Sequence, residues 1–309
     1  MSLSTPPTTV PGLATGTPDA ISHAALAARR NAFRALHERG CFVIPNPWDV
    51  GSARYLQHLG FPALATTSAG FAFSQGLPDS GDEVVVARDR VLAYISDIAA
   101  AVDLPVSADF MSGYGLEPED VAESVARCVA TGVAGLSIED STGDHRSPLY
   151  DLPVALARVR AAREAIDQSG ANVLLTARAE CYHVGHPDPF RESLRRLQAY
   201  AEAGADVLFA PGPQDPAEIK ALVEAIAPKP LNLLVVRDVG LRVEEIAALG
   251  VRRISVGGAL ALAAWTGFMR AAETLKSEGS FAGLANLVPY AQINGLFAAD
   301  LPGHHGSGR

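Results

Sequence analysis

Short apolar runs bounded by Gly, Pro, Asn or Asp alternate along the chain with longer stretches in which Ala, Glu and Arg recur at helical spacing. Eight such runs predict strands, at 41–45, 63–67, 106–109, 135–139, 173–178, 207–210, 231–235 and 253–256. Between them the pattern predicts helices such as 83–102, 119–131, 153–169, 189–203 and 216–227, several with Pro near the first turn and several closing on Gly. Strands that alternate with helices, without a change of composition, point to an α/β fold, a closed (β/α)8 TIM-type barrel. The rival is a doubly wound open sheet. It is weakened because no Gly-x-Gly-x-x-Gly follows the first strand and no Gly-x-x-x-x-Gly-Lys-Ser/Thr occurs. Two further apolar helical segments, 259–276 and 281–297, are more than a minimal barrel needs, so self-association through them is expected. A single barrel domain is read over 21–298, after a disordered Thr/Pro/Ser/Gly-rich leader at 1–20 and before a flexible tail at 299–309.

Composition narrows the function. The 309 residues carry a net charge of −9, which argues against nucleic acid or an anionic membrane as the main partner and makes any acidic ligand depend on local positive charge. Cys41, Cys128 and Cys181 have no paired spacing and no disulfide framework, so a reducing cytoplasm is the expected setting. The first residues lack the features of a secretory signal, and no apolar run is long enough for a membrane span.

In a barrel, residues just after each strand gather on one rim, and here that rim is polar: Asn46-Pro-Trp48-Asp49, Thr66-Thr67-Ser68, Asp109, Glu139, Arg178 and Asn232. Asp79, Asp109 and Glu139 are spaced by thirty residues each time (109 − 79 and 139 − 109), about one βα unit. Carboxylates placed this way suit Mg²⁺, which keeps several waters and takes few protein ligands. Arg178 is suited to clamp a substrate carboxylate, and the Thr66–Ser68 turn offers N–H groups and hydroxyls. The plainer alternatives are helix caps for Asp49 and Asp79 and a structural ion pair for Arg178. Cys181-Tyr-His183-Val-Gly-His186 holds soft metal ligands but lacks a matching set elsewhere, so an ordinary loop is the better reading. Gly257-Gly258 after the last strand suits either a phosphate-binding rim or close helix packing.

The words around these residues occur in a recognisable order: Asn46-Pro-Trp-Asp-Val-Gly-Ser-Ala53, Thr67-Ser68, Gly76-Leu-Pro-Asp79, Asp109 with Gly113-Tyr-Gly115, Ile138-Glu-Asp140, Ala177-Arg178 and Ala203-Gly-Ala-Asp206. Over about residues 25–275 the chain resembles the isocitrate lyase/phosphoenolpyruvate mutase superfamily. The resemblance implies a (β/α)8 barrel with extra C-terminal helices, helix-swapped in a homo-oligomer (dimer or tetramer), that binds Mg²⁺, or Mn²⁺ as a substitute, and a small 2-oxo or 2-hydroxy acid. It also implies enolate-type chemistry beside an oxaloacetate-like or pyruvate-like unit. By motif position it makes Asp109 the direct metal ligand, Asp79 and Glu139 holders of metal-bound water, and Trp48, Thr66, Thr67, Ser68, Arg178 and Asn232 substrate contacts, with Asp79, Glu139 and Arg178 as the catalytic set.

Two departures shape the expectation. The family's Asp-x-Asp-x-Gly-Tyr-Gly reads Asp109-Phe-Met111-Ser-Gly-Tyr-Gly115 here, and a thioether is a poor ligand for a hard cation, so weaker Mg²⁺ binding is expected. The loop after Glu139 reads Asp140-Ser-Thr-Gly-Asp-His145-Arg146-Ser-Pro-Leu149, without the cysteine of isocitrate-type lyases or the asparagine of the mutases. His145 and Arg146 are candidate replacements, against an exposed, mobile loop as the plainer reading. The expected function is a Mg²⁺-dependent lyase working by C–C cleavage or decarboxylation on an oxo- or hydroxy-(di)carboxylate. Phosphonopyruvate or phosphoenolpyruvate chemistry and non-catalytic oxo-acid binding are the alternatives.

Overall fold

Eight parallel strands, β1 (Phe42–Ile44), β2 (Leu64–Ala65), β3 (Val106–Asp109), β4 (Gly135–Glu139), β5 (Leu174–Arg178), β6 (Val207–Phe209), β7 (Leu231–Leu234) and β8 (Arg253–Ser255), pair in the order β1-β8-β7-β6-β5-β4-β3-β2. They come from a computed structural model that describes residues 21–79 and 86–299. The expected leader, the tail from 300 onward and residues 80–85 lie outside these residues. Neighbours in the sheet are neighbours in sequence, and β1 pairs in register with β8, so the sheet curls into a nearly closed (β/α)8 barrel.

The seam lies between β1 and β2. Pro45 and Pro47 bring no N–H to it, and its ties are the Ala65 N–H to the Pro45 carbonyl at 3.1 Å and the buried amide of Asn46. Asn46 Nδ2 donates to the Thr66 carbonyl, while its Oδ1 accepts from the N–H groups of Val256 and Gly257. One side chain therefore holds the ends of β8, β1 and β2 together.

Helices surround the sheet: α1 (His23–Leu36), α2 (Val50–His58), α3 (Ser68–Ser74), α4 (Arg88–Ala101), α5 (Pro118–Ala130), α6 (Leu152–Gln168), α7 (Pro189–Glu202), α8 (Pro216–Ile226) and α9 (Val243–Ala248), followed by α10 (Ala259–Glu278) and α11 (Tyr290–Ala299). Pro stands in the first turn of α5 through α8, where its missing N–H has no helical partner to lose, and Asp188 and Asp215 cap α7 and α8. Buried faces of α4 to α8 pack on Val106, Leu136, Leu175, Leu208 and Leu233 in one continuous core. At the barrel's lower end Phe33 of α1 inserts beside Phe42, Ala134, Leu174 and Val207. Gly135 opens β4 because a Cβ there would lie 2.6 Å from the Phe33 ring.

The expected helix at 281–297 is corrected by the structure. A 3-10 turn at Ala282–Leu284 and α11 replace it, because Pro289 supplies no N–H and biases Val288 away from helical geometry. Among the described residues no helix is long and apolar enough to cross a membrane.

Candidate active site

The ends of β2 and β3 meet through Asp109. Its N–H donates to Thr66 Oγ1 at 2.9 Å, and its Oδ2 accepts from the Ser68 N–H at 3.1 Å. The Ser68 side chain hydrogen-bonds Asp79, so one residue steers two carboxylates. Thr67 caps α3 through Gly70 N–H and keeps the turn in shape. The remaining oxygens, Asp109 Oδ1 and Asp79 Oδ1, are buried without a hydrogen-bond partner. Carboxylate oxygens withdrawn from water and left without a donor fit a hard cation. Among the described residues no three acidic, His or Cys side chains converge into a ready-made cage. The fit is therefore to an ion that keeps much of its water, as Mg²⁺ does.

Arg178 ends β5 at the centre of the acids. Its Nη1 lies 3.1 Å from Glu139 Oε2 and 3.7 Å from Asp109 Oδ1, its Nε pairs with Glu180, and its guanidinium lies over the Phe209 ring. Burial works against the charge on Arg178, but Glu180, Glu139 and Asp109 together outweigh it and raise its pKa. Burial pushes the Glu139 carboxyl up to about 8 even though Arg178 pulls it down. Glu180 is raised for the same reason, and Asp79 by burial and then by the Asp109 carboxylate.

Met111 lies in the left-handed region, at φ 46°, as does Tyr114 at φ 52°. A side chain other than Gly, Asn or Asp is strained there. The Tyr114 hydroxyl meets Met111 Sδ at 3.3 Å, and the Glu139 N–H donates to the Met111 carbonyl at 2.8 Å, which ties this loop to β4. Arg158 of α6 clamps the loop from behind, donating to the carbonyls of Ser112, Gly115 and Leu116 at 2.7, 2.8 and 2.7 Å while its guanidinium stacks over Tyr150.

A cavity of about 710 Å³ opens over these groups, lined by Asp79, Met111, Glu139, Arg178, Glu180 and His183 among others. Ser141 and Thr142 face it, but Arg146 points outward onto Asp144 with its side chain 92% exposed, and His145 is not among the lining residues. The loop is held by its own bonds, including an antiparallel bridge between Ser141 and Leu149 and Thr142 Oγ1 to the Ser147 carbonyl at 2.6 Å. A second chamber of about 200 Å³ continues into the barrel and is lined by Thr66, Thr67, Ser68, Asp109, Arg178 and Asn232 among others.

Of the residues singled out from the sequence, Asp79, Asp109, Glu139, Arg178, Thr66, Thr67, Ser68 and Asn232 come together around these two chambers. Trp48 lines neither; it is half-buried against α3, where Gly70 leaves room for its Cβ. Asp49 is an N-cap for α2, closing a capping box with Ser52. Cys181 is buried, and His186 accepts from the Asp188 N–H, apart from His183 at the cavity. The Gly257 N–H is taken by Asn46, which argues for packing rather than a phosphate rim. Glu180 and Arg158 fall outside the sequence reading, and Asn46, read there as part of the polar rim, instead ties the barrel seam. Glu180 alone had a visible signal, two residues past Arg178 at the mouth of the same strand.

Comparison with known proteins gives the family of the chain. Residues 33–276 match the phosphoenolpyruvate phosphomutase family, and the chain belongs to it. An uncharacterized protein of Mycobacterium tuberculosis (strain ATCC 25618 / H37Rv) is 34% identical over 263 residues, covering 85% of this chain and 94% of that one. The oxaloacetate decarboxylase of Pseudomonas putida (strain GB-1) is 30% identical over 242 residues, or 76% and 80% of the two chains. The crystal structure of a candidate lyase/mutase from Burkholderia cenocepacia J2315 superposes with a TM-score of 0.84 at 46% identity, over 89% of this chain and 98% of that one.

Proposed function

We propose that this member of the phosphoenolpyruvate phosphomutase family is a Mg²⁺-dependent lyase. It acts on a small 2-oxo or 2-hydroxy acid by C–C cleavage or decarboxylation through an enolate-like intermediate. The observation that carries the reading is the pair of buried carboxylate oxygens on Asp109 and Asp79 that accept no hydrogen bond, set beside the guanidinium of Arg178. When bound, Mg²⁺ would supply Lewis-acid stabilisation of charge developing on the substrate's oxo oxygen.

The chain's own residues do the rest. Asp109, fixed by Thr66 and Ser68, would hold the ion, with Asp79 and Glu139 beside it as the carboxylates that would steady its bound water. Arg178 turns its guanidinium from Glu139 to the substrate carboxylate. Phe209 beneath Arg178 and the clamped loop at 112–116 exclude water from that side. The missing loop cysteine argues against isocitrate-type cleavage, and the Pseudomonas putida relative supports placing decarboxylation of an oxaloacetate-like acid first. Self-association is part of the same reading, as a dimer or tetramer. Leu262, Trp265, Phe268 and Met269 on α10, with Leu287 and Tyr290 beyond it, leave an apolar face open to solvent.

Met111 favours a second reading, an oxo-acid-binding protein without turnover. A turnover panel of oxaloacetate, other small 2-oxo and 2-hydroxy dicarboxylates and phosphonopyruvate, run with Mg²⁺ and with Mn²⁺, separates the readings. Release of pyruvate or of CO2 from a dicarboxylate is the expected result. Ligands that raise the melting temperature without being consumed would hand the site to the binding reading.

A further inference from the structure

The inner chamber ends on a cation that no carboxylate answers. Arg253 opens β8 and is 5% exposed. Its Nε donates to Asn232 Oδ1 at 2.7 Å, its Nη2 donates to Thr176 Oγ1 at 3.1 Å, and its Nη1 lies 3.5 Å from His37 Nε2. His37 Nδ1 is 2.8 Å from the Phe33 carbonyl, which assigns the proton to Nδ1 and leaves Nε2 as the acceptor. All three partners are neutral, and among the described residues none of the partners of Arg253 is a carboxylate. A guanidinium carries five N–H donors, so two remain. Burial, with no acid to offset it, holds the pKa of Arg253 down to about 9.

Room exists beside it. Barrel interiors are usually filled by bulky branched side chains, but here Ser107, Ser137, Asn232 and Ser255 line the chamber of about 200 Å³ in which Arg253 and Asp109 both take part. Thr176, which Arg253 touches, stands two residues before Arg178 on β5, about 6–7 Å deeper at about 3.3 Å of rise per residue, and Arg178 lies beside Asp109 at the rim. That is the reach of a four-carbon diacid. At the rim, Arg178 is already faced by Glu139, Asp109 and Glu180, so the floor holds the uncommitted positive charge of the inner chamber.

We infer that Arg253 forms a second anion subsite on the barrel floor, which takes the distal carboxylate of a small dicarboxylate whose 2-oxo or 2-hydroxy end lies at Asp109. The dicarboxylate assignment rests on the proposed function; the anion subsite does not. L-malate and 2-hydroxybutyrate share a skeleton and differ in the distal carboxylate, so calorimetric titration of the pair in Mg²⁺ reads the floor directly. Wild type should bind malate at least ~10-fold more tightly, since a site built for a charged partner rejects its apolar analogue. Arg253→Gln should bring the two affinities together while keeping that for 2-hydroxybutyrate, with Arg253→Met as the second variant and melting curves to check folding. Formate, too short to reach both ends, should raise the melting temperature of the metal-free wild type and not that of Arg253→Gln. A formate effect that depends on Arg253 while malate fails to bind would keep the subsite and sink the lyase substrate. A wild type that treats malate and 2-hydroxybutyrate alike and ignores formate overturns the subsite, as does Arg253→Gln retaining both effects.

Discussion

Replacing Met111 by Asp should strengthen Mg²⁺ binding and weaken the metal-free protein, and the opposite signs make the substitution diagnostic. Met111 lies at φ 46°, a conformation that costs an ordinary L-residue about 1–2 kcal/mol, of which Asp relieves only a fraction. The new carboxylate would stand on the cavity wall shared with Asp79 and Glu139. Outer partners of a metal site typically change its affinity by about 10- to 100-fold, or roughly 1.4–2.8 kcal/mol. Without the ion, the same carboxylate becomes a fifth acid beside Asp79, Asp109, Glu139 and Glu180, with Arg178 in their midst, and the repulsion is on the order of 1–2 kcal/mol. Loss of the Tyr114 hydroxyl contact to the thioether adds to it. The melting temperature should therefore fall by a few degrees in EDTA and rise above that of wild type in saturating Mg²⁺. Titration calorimetry gives the affinity. An unchanged dissociation constant would show that position 111 does not face the ion's shell; a rise in melting temperature without metal would place the whole gain in the backbone.

Three further outcomes follow from the same geometry. Glu139, raised from an ordinary 4.5 to about 8 by burial, must lose its proton to serve an ion, so Mg²⁺ affinity should climb by up to about one log unit per pH unit and level off near 8, with the burial-raised Asp79 acting in the same direction. Metal-free stability runs the other way, because the folded state holds the extra protons and loses that stabilisation as pH rises through about 8; an affinity that is flat between pH 6 and 8 would contradict both. Arg158→Met removes three bonds to loop carbonyls and should cost about 2–4 kcal/mol in denaturant unfolding. It should weaken Mg²⁺ binding as well, and an unaltered Mg²⁺ titration would uncouple the clamp from the site. Phe268→Glu places a charge at a phenyl 63% exposed on α10, and light scattering should show a smaller assembly than wild type; an unchanged mass would move the interface elsewhere.

Much of the barrel was legible because apolar runs stop where the chain turns polar at the rim. The strands 106–109 and 135–139 match residue for residue, and 41–45 shortens to 42–44, losing its last residue because Pro45 has no N–H to enter a ladder. The segment 281–297 was misread since apolar content alone does not tell a helix from a chain broken by Pro289. The acids at 79, 109 and 139 were legible as strand-end carboxylates, but not what each oxygen meets. Ser68 reaches Asp109 across 41 residues, and Arg158 reaches Ser112 across 46. Such partners are products of closure. The same holds for Arg253, which reads as one of two adjacent arginines in 251–253 until the barrel turns it inward beside Thr176 and Asn232.

Charge balance then links the rim to the floor. Asp79, Asp109, Glu139 and Glu180 against Arg178 leave −3 when all are ionised, and burial answers by raising the pKa of Asp79, Glu139 and Glu180. A bound divalent ion would offset that charge and still leave the rim at −1. A monocarboxylate chelated there can exchange with Glu139 for Arg178, but a second carboxylate at the rim would meet net negative charge in a poorly solvated pocket. It is attracted only downward, to the guanidinium among neutral hydroxyls and an amide. Discrimination between mono- and dicarboxylates is accordingly a property of the barrel floor, and it should survive changes in the exposed loop at 141–149.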